Sequence, residues 1–415
     1  MNKIITWGIV ILFIGTISAN TIAYSPLEKK SFLDKDSDFL NYKIYDLKMK
    51  LLMKIGNFPS LSTCIIKGDE VVWSKSYGYS DLYRRKPAEK DTIYGMASIS
   101  KTMLTTAFLK LYENKSYDFS LDDDVNKWLP FELRNPNYPN HNITLRMLLS
   151  HRSSIFDYFV FSTKGLFQDF TKLLDFPDDL GNWLENILVP GRDMYRPEYW
   201  SDEPPGQSAC YSNIGFFVIS YVFEKIANES LESYCQKNIF GPLEMYDTSY
   251  CLESLDKERL AVPYIKKLGV FIPLPNKDFK GFAGVGGLRT TLEDLSHFLI
   301  AHMNNGVYNG IRILENETIE LMHNTSYPET KISHAIGYNY GYGWWSSEIC
   351  GKRLNGHGGI IPGVRCTMVM DETTNIGYIV LINYHKMMGL FNKLDNKAID
   401  GIFSLLFEKA DEYLQ

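Results

Sequence analysis

The feature that most constrains the fold of this sequence is the position of its strand-like segments, which lie near both ends of the chain. Two short runs rich in β-branched residues, Leu61–Lys67 and Val71–Tyr77, flank Gly68-Asp69, a pattern typical of a β-hairpin. Further strand-like runs occur late in the chain, at Tyr342–Trp345, Val364–Met370 and Ile376–Ile382. The residues between these two groups alternate helical stretches with Pro-rich loops. This order predicts an α/β fold in which an antiparallel sheet, flanked by helices, is built from both chain ends.

The domain organisation follows from that order. We predict a sheet domain made of residues 24–125 and 277–415, and an all-helical inserted domain over residues 126–276. Apolar residues at helical spacing also predict helices over Asp38–Lys54, Ser98–Leu111 and Gly401–Leu414. No internal repeat of 20 to 50 residues is visible in the 415 residues.

The N-terminal residues 1–23 resemble a secretory signal peptide. Lys3 precedes the apolar run Ile4–Ile17, and Thr21-Ile22-Ala23 offers small residues where a signal peptidase would cut. An uncleaved anchor over residues 4–23 is the alternative, although polar residues interrupt the run before it reaches the length of a membrane span. We therefore predict a protein that is secreted or lies in the lumen of the secretory pathway.

Cysteines and glycosylation sequons are compatible with that compartment. Asn-x-Ser/Thr occurs at Asn114, Asn142, Asn228, Asn316 and Asn324, which predicts a glycoprotein. The six cysteines are Cys64, Cys210, Cys235, Cys251, Cys350 and Cys366. Cys235–Cys251 and Cys350–Cys366 are the pairs closest in sequence, so disulfides between them are one expectation and buried free thiols are the other.

Composition excludes several classes of protein. The chain has 43 basic and 49 acidic side chains, a net charge of −6, which argues against nucleic acid as a partner. It lacks Cys-x-x-Cys, and its eight histidines form neither His-x-His nor His-Glu-x-x-His, so no metal or other cofactor is predicted. The absence of Gly-x-Ser-x-Gly argues against an α/β-hydrolase.

Ser98 and Lys101 are the first candidates for chemistry. Three residues apart at the start of a helix, they share one face, so the lysine can take the proton of the serine hydroxyl if burial disfavours its charge. A helix N-cap is the structural alternative for Ser98. Ser254 and Lys257 have the same spacing, but they lie in a charged stretch typical of a solvated surface.

Two further motifs accompany this pair. Tyr-x-Asn occurs at Tyr112, Tyr138 and Tyr211, and the third precedes an apolar helix, so that Tyr211 can relay a proton and Asn213 can orient Lys101 or a substrate carbonyl. His357-Gly358-Gly359 lies between strand-like runs. Its glycines would let a substrate backbone lie against a sheet edge, with His357 facing it as a polar or cationic group.

In this order the motifs resemble the serine β-lactamase and penicillin-binding-protein superfamily, in particular its class C-like branch of carboxypeptidases and esterases. The resemblance covers residues 61–415. It extends to the segments Asp91–Thr102, Leu121–Val125, Ile143–His151, Gly284–Leu295 and Gly356–Gly363.

The resemblance implies a role for each site residue. Ser98 is the nucleophile that is acylated, Lys101 activates it, and Tyr211 is a general base in acylation or deacylation. Asn213 holds the site, and the strand with His357, Gly358 and Gly359 docks the substrate and forms an oxyanion hole with the Ser98 N–H. The implied reaction is a two-step acyl transfer to water without a cofactor.

The sequence departs from the family at two places. Lys-Ser/Thr-Gly is absent, and His357 stands where the cation that pairs with a substrate carboxylate is usual. We therefore expect esters, amides or peptides rather than β-lactams as substrates. The family segment also differs after His151, which we interpret as a structural residue. A secreted binding or scaffold protein without turnover is the alternative function, although the presence of Ser98, Lys101 and Tyr211 favours an enzyme.

Overall fold

The computed structural model describes residues 42–157, 178–325, 339–385 and 392–414. Its strands are β1 (Ser60–Lys67), β2 (Glu70–Asp81), β3 (Lys86–Pro87), β4 (Tyr94–Gly95), β5 (Tyr264–Lys267), β6 (Val270–Pro273), β7 (Arg289–Thr290), β8 (Val307–Tyr308), β9 (Ile311–Arg312), β10 (Asn339–Tyr340), β11 (Trp345–Ile349), β12 (Lys352–Ile361), β13 (Val364–Asp371) and β14 (Ile376–Ile382). Eight of these described strands form one sheet in the order β10-β11-β12-β13-β14-β1-β2-β3. The remaining strands form the pairs β4–β7, β5–β6 and β8–β9.

The described residues also form helices. They are α1 (42–56), α2 (Ser100–Glu113), α3 (Leu145–Leu149), α4 (Leu180–Leu188), α5 (Asn213–Ala227), α6 (Leu231–Cys235), α7 (Leu292–Met303), α8 (Asn316–His323) and α9 (Asn392–Asp411). Short 3₁₀ turns lie at Ala97–Ile99, Val125–Lys127, Pro197–Tyr199, Leu252–Ser254, Lys257–Arg259 and Lys280–Phe282. Two π-helical turns lie at Gln236–Phe240 and Ala283–Gly287.

The two ends of the chain meet in the centre of the sheet. Strand β1 pairs with β14 in an antiparallel register that runs from Leu61 opposite Ile382 to Lys67 opposite Ile376. All seven residues of β14 are buried because helices cover both faces of this strand. Gly377 faces Met303 of α7, and the next residue, Tyr378, packs its ring 5.0 Å from that of Phe407 on α9. The predicted α/β fold, with an antiparallel sheet flanked by helices and formed by both chain ends, is confirmed.

The predicted N-terminal hairpin is also confirmed, because β1 and β2 pair around Gly68-Asp69. The helix predicted from Ser98 begins as the 3₁₀ turn Ala97–Ile99 and continues as α2. Almost every α2 residue is buried, so this helix lies inside the molecule rather than on its surface.

The predicted strand Tyr342–Trp345 is wrong for most of its length. The chain bends between β10 and β11, and Gly343 has a φ of +67°, a conformation that glycine adopts without strain. The bend buries Tyr342 and Trp344 completely, so their apolar character reflects the core and not a strand.

Other boundaries shift more modestly. The C-terminal helix α9 begins at Asn392 rather than at Gly401. Gly401 lies inside this helix, where it packs against Leu52. The segment predicted to be all-helical, 126–276, also contains the β5–β6 hairpin. Residues 38–41 of the first predicted helix and the signal segment 1–23 lie outside the described residues. The domain boundaries at 125/126 and 276/277 stay a prediction.

All six cysteines are free thiols, so neither proposed pair forms a disulfide. Cys350 is exposed, whereas Cys366 is buried and donates to the Met96 carbonyl oxygen at 2.9 Å. Among the described helices, none combines the length and the apolar composition that crossing a bilayer requires.

Candidate active site

Ser98 lies in the 3₁₀ turn that precedes α2. The residue before it, Ala97, has a φ of +44°, in the left-handed region that costs a residue with a side chain about 1–3 kcal/mol. Ala97 and Ile99 are both completely buried, whereas Ser98 is partly exposed. The packing of Ala97 and Ile99 therefore holds this strained turn in place, and the turn leaves the Ser98 hydroxyl partly accessible.

Two side chains donate hydrogen bonds to that hydroxyl. Lys101 Nζ is 2.9 Å from Ser98 Oγ and also donates to the Val285 carbonyl oxygen at 3.1 Å. The hydroxyl of Tyr211 donates to Ser98 Oγ at 2.9 Å. The structure thus brings together three residues that are up to 113 positions apart in the sequence.

Burial changes the proton affinity of both donors. Lys101 is completely buried, and desolvation lowers its pKa from 10.5 to about 7, although the negative charge of Asp157 partly opposes this shift. Burial raises the pKa of Tyr211, and its hydrogen bond to Ser98 only partly offsets the rise. At neutral pH a neutral lysine is therefore accessible, whereas Tyr211 rests as a neutral phenol that donates.

A buried aspartate fixes the start of α5, which directly follows Tyr211 and Ser212. Asp157 accepts hydrogen bonds from the Asn213 backbone N–H (2.6 Å), the Ile214 N–H (3.1 Å), the Ser212 hydroxyl (3.1 Å) and Asn213 Nδ2 (2.7 Å). Burial nevertheless raises its pKa. Asp157 was not predicted, because an acid that caps a helix 56 residues away has no local pattern. The Asn213 amide nitrogen is thus bound to Asp157, and a role towards substrate stays a prediction.

His151 supports the same tyrosine. Its Nδ1 accepts a hydrogen bond from the Ser212 N–H at 3.0 Å, and its ring lies 4.5 Å from that of Tyr211. Burial holds its pKa well below the usual value, so the ring is neutral. The prediction that His151 is hydrogen-bonded is confirmed, and its structural rather than catalytic role stays a prediction.

The His357-Gly358-Gly359 motif lies within β12 rather than between strands. Strand β11 pairs with β12 only as far as Gly356. On the other side of β12, strand β13 pairs with it from Asn355 to Ile361. A Cβ atom at Gly359 would stand 2.3 Å from the Met96 carbonyl oxygen and 3.0 Å from the Ser98 nitrogen. Only glycine therefore lets this part of β12 approach the turn that holds Ser98.

His357 is a neutral group in this site. It is 2% exposed, and its Nδ1–H donates to the Gly358 carbonyl oxygen at 2.6 Å. Desolvation and the charge of Lys101 lower its pKa to about 3. Of the two expectations for this residue, polar or cationic, the structure supports the polar one.

The protein-family model described as Beta-lactamase matches residues 46–398 of this chain. The chain belongs to the beta-lactamase family. The relative "Protein flp" of Staphylococcus aureus (strain MRSA252) is 23% identical over 369 residues, 86% of this chain and 67% of that protein. "Beta-lactamase-like protein 2" of Dictyostelium discoideum is 29% identical over 273 residues, 63% of this chain and 46% of that protein.

Solved structures share the beta-lactamase-family fold. An octameric penicillin-binding protein homologue from Pyrococcus abyssi superposes with a TM-score of 0.66 at 27% identity, covering 83% of this chain and 73% of its own. The D-amino acid amidase of Ochrobactrum anthropi SV3 superposes with a TM-score of 0.67 at 19% identity, and the match covers 88% of this chain and 99% of the amidase. The second similarity concerns the fold alone.

The remaining sequence candidates lie away from this beta-lactamase-family site. Ser254 and Lys257 are exposed, and Lys257 pairs with Glu253 at 2.7 Å, so the surface interpretation of this second Ser-x-x-Lys is confirmed. Tyr112 lies in the last turn of α2 and Tyr138 in a loop. A cavity of about 660 Å³, lined in part by His302 and His323, includes none of the Ser98 cluster. Within the described residues, no group of three or more His, Cys, Asp or Glu is placed to hold a metal ion.

Proposed function

We propose that this beta-lactamase-family protein is a serine hydrolase that transfers the acyl group of an ester, amide or peptide to Ser98 and then to water. The observation that carries the proposal is the pair of hydrogen bonds at Ser98 Oγ, from Tyr211 and from a lysine whose burial lowers its pKa to about 7. A serine becomes a nucleophile when a neighbouring base of near-neutral pKa takes its proton.

Acylation begins with neutral Lys101. The lysine takes the hydroxyl proton while Ser98 Oγ attacks the substrate carbonyl, and the carbonyl π electrons move to its oxygen. The Ser98 N–H and the backbone of β12 beyond Gly356 are the donors we assign to that oxyanion. When the carbonyl re-forms, the leaving group departs with the Tyr211 hydroxyl proton, which the ammonium of Lys101 then replaces.

Deacylation repeats these steps with water in place of the serine. Lys101, neutral again, accepts the water proton through Tyr211 while the hydroxide attacks the acyl carbon. The bond to Ser98 Oγ breaks, and the serine recovers its proton from Lys101. In this scheme Tyr211 acts as the base towards water only while Lys101 accepts its proton, because its own raised pKa disfavours a free phenolate.

The substrate class follows from His357. Because burial lowers the pKa of His357 to about 3, this position offers a neutral group and no permanent cation for a substrate carboxylate. Esters, amides and peptides with an uncharged end fit this position better than β-lactams. The names of two structural relatives, a D-amino acid amidase and "EstCE1, a hydrolase with promiscuous acyltransferase activity", are consistent with this choice.

We also propose that the protein enters the secretory pathway through residues 1–23, with retention as an anchor over residues 4–23 as the alternative. Four of the five sequon asparagines are exposed, namely Asn114, Asn142, Asn228 and Asn324, so the folded surface leaves room for glycans there. Edman sequencing of the protein exported from a eukaryotic cell, before and after glycosidase treatment, tests cleavage and glycosylation together.

The activity is tested by labelling with a fluorophosphonate probe. Wild type and Ser254→Ala, the matched change in the surface Ser-x-x-Lys, should label equally, and Ser98→Ala should not label. p-Nitrophenyl esters, amino-acid amides and nitrocefin then rank the substrates, with esters or amides turned over faster than nitrocefin. A folded wild type that takes no label and hydrolyses none of these compounds would refute the hydrolase and support the binding-protein alternative.

A further inference from the structure

The cavity of about 660 Å³ is bordered by the C-terminal end of α7, helix α8 and the turn that joins β13 to β14. The charged residues that line it are three carboxylates and one guanidinium, namely Glu320, Asp371, Glu372 and Arg353. Two histidines, His302 of α7 and His323 of α8, also form part of its wall. The cavity therefore combines an excess of negative charge with two imidazoles, at a place that includes none of the Ser98 cluster.

A chain of hydrogen bonds determines which ring nitrogens of these histidines carry a proton. The Thr106 hydroxyl donates its single proton to the Thr102 carbonyl oxygen at 2.9 Å. It therefore accepts the hydrogen bond from His302 Nε2, 3.2 Å away, and this bond places the His302 proton on Nε2. His302 Nδ1 is then an acceptor, so the proton in its 3.2 Å hydrogen bond with His323 Nε2 belongs to His323. The chain leaves Nδ1 of a neutral His323 with a lone pair and no proton.

His323 Nδ1 faces a second acceptor. A carboxylate oxygen of Glu372 lies 3.8 Å from it, which is too far for a hydrogen bond. The His323 side chain is 8% exposed, and no donor among the described residues reaches its Nδ1. Protonation of Nδ1 would relieve this contact, but burial lowers the pKa of His323 to about 3, so the ring is neutral at pH 7. A lone pair and a carboxylate therefore lie side by side at the cavity wall without a donor between them.

Thr325 is a further polar residue of the cavity wall that lacks a partner. It is 7% exposed, and its hydroxyl makes no hydrogen bond with any residue that the structure describes. Buried polar groups in folded proteins are normally hydrogen-bonded. Met303, Ile319 and Met370 supply an apolar part of the same wall. The cavity thus offers unused polar atoms together with apolar surface, as small-molecule sites do.

These features discriminate between classes of ligand. A primary ammonium group carries a positive charge and three N–H donors, so one nitrogen can donate to both His323 Nδ1 and Glu372, each at about 2.9 Å. An anion would face three carboxylates. A structural metal ion usually takes four protein ligands, and the described residues contain no group of three or more His, Cys, Asp or Glu placed to hold one.

We propose that this cavity binds a small organic amine as its ammonium ion. The nitrogen donates to His323 Nδ1 and to the Glu372 carboxylate, and the alkyl part lies against the apolar wall of Met303, Ile319 and Met370. The proposal does not depend on the activity of Ser98, which is not part of the cavity.

Isothermal titration calorimetry of the full chain at pH 7 tests the proposal with three probes of equal chain length. n-Hexylamine should bind, whereas hexyltrimethylammonium, which keeps the charge but has no N–H, and hexan-1-ol, which has no charge, should bind about tenfold or more weakly. Glu372→Gln should weaken hexylamine binding about tenfold. Glu317→Gln is the matched control, because Glu317 is an exposed residue of α8 outside the cavity, and it should bind as wild type does. Ser98→Ala should also bind hexylamine as wild type does, so the test stands whether or not the protein is a hydrolase.

A second readout examines the hydrogen-bond chain directly. In long-range ¹H–¹⁵N spectra of protein with ¹⁵N-labelled histidine, His323 should carry its proton on Nε2, and hexylamine should move its Nδ1 resonance. A His323 ring with its proton on Nδ1 would overturn the proposal. Absence of hexylamine binding at millimolar concentration, equal affinity for hexylamine and either of the other probes, or a Glu372→Gln variant that binds as wild type does would overturn it too. Near-UV circular dichroism checks that each variant is folded.

Discussion

Replacing Lys101 with methionine should abolish acylation of Ser98 and yet make the protein more stable at neutral pH. The side chain is completely buried, and its pKa falls from 10.5 in the unfolded chain to about 7 in the folded protein. Since one pKa unit corresponds to about 1.4 kcal/mol, holding this lysine in the core costs roughly 4 kcal/mol of folding free energy at pH 7. Methionine fills a similar volume without that cost.

The cost depends on pH with a defined sign. Between about pH 7 and pH 10.5 the unfolded chain binds more protons at this position than the folded chain, so this group makes the free energy of unfolding rise with pH. By pH 9 the cost falls to roughly 2 kcal/mol. Methionine also loses the bonds to Ser98 Oγ and to the Val285 carbonyl oxygen, each worth about 1 kcal/mol. The net gain of Lys101→Met is therefore roughly 2 kcal/mol at pH 7 and about 0 kcal/mol at pH 9.

Urea unfolding of wild type and Lys101→Met at the two pH values measures this difference. Lys257→Met, in the exposed Ser-x-x-Lys, is the matched control and should change the free energy of unfolding by less than about 0.5 kcal/mol. A Lys101→Met variant that is less stable than wild type at pH 7, or whose gain is the same at both pH values, would refute the reasoning about the buried lysine.

The remaining predictions concern the groups around Ser98. Tyr211→Phe removes the donor 2.9 Å from Ser98 Oγ and should lower kcat for a p-nitrophenyl ester by about 100-fold with an unchanged Tm; a kcat within twofold of wild type would exclude proton transfer through this hydroxyl. Gly359→Ala forces a Cβ to 2.3 Å from the Met96 carbonyl oxygen, so it should cost about 1–3 kcal/mol of stability and slow labelling. Gly358→Ala, whose Cβ would have its nearest neighbour at 3.6 Å, should leave the stability unchanged, and equal effects of the two variants in chemical denaturation would contradict the close approach. Because the pKa of His357 is lowered to about 3, it stays uncharged from pH 5 to pH 8. The kcat/KM ratio of a neutral ester and its carboxylate-bearing analogue should therefore be flat over that range, and a step near pH 6 would show that His357 titrates.

Much of the fold was predictable because its signals are local. The hairpin around Gly68-Asp69 and the run Ile376–Ile382 combine strand-forming residues with clear boundaries, and both became strands as predicted. The run Tyr342–Trp345 has similar residues, but Gly343 turns the chain and the aromatic side chains fill the core. Burial on a strand and burial in a bend demand the same apolar residues, so composition does not distinguish them.

The site was predictable only in part, for a related reason. Ser98 and Lys101 are three residues apart on one helix, so their contact follows from helical geometry. Asp157 has no such neighbour: it meets Asn213 across 56 residues, and the hydrogen bonds that reveal it exist only after folding. Neither disulfide pair could be decided from spacing, and all six cysteines are free.

The sequence by itself determined the identity and order of the reactive groups: a serine with its lysine, a tyrosine before an apolar helix, and a strand with two glycines. It also determined that no permanent cation stands at position 357. Only the tertiary structure decided the protonation states, because pKa values depend on desolvation and neighbouring charge, which a linear sequence does not contain. Burial brings the pKa of Lys101 close to neutrality and keeps His357 uncharged, and those two shifts turn a set of motifs into a candidate active site.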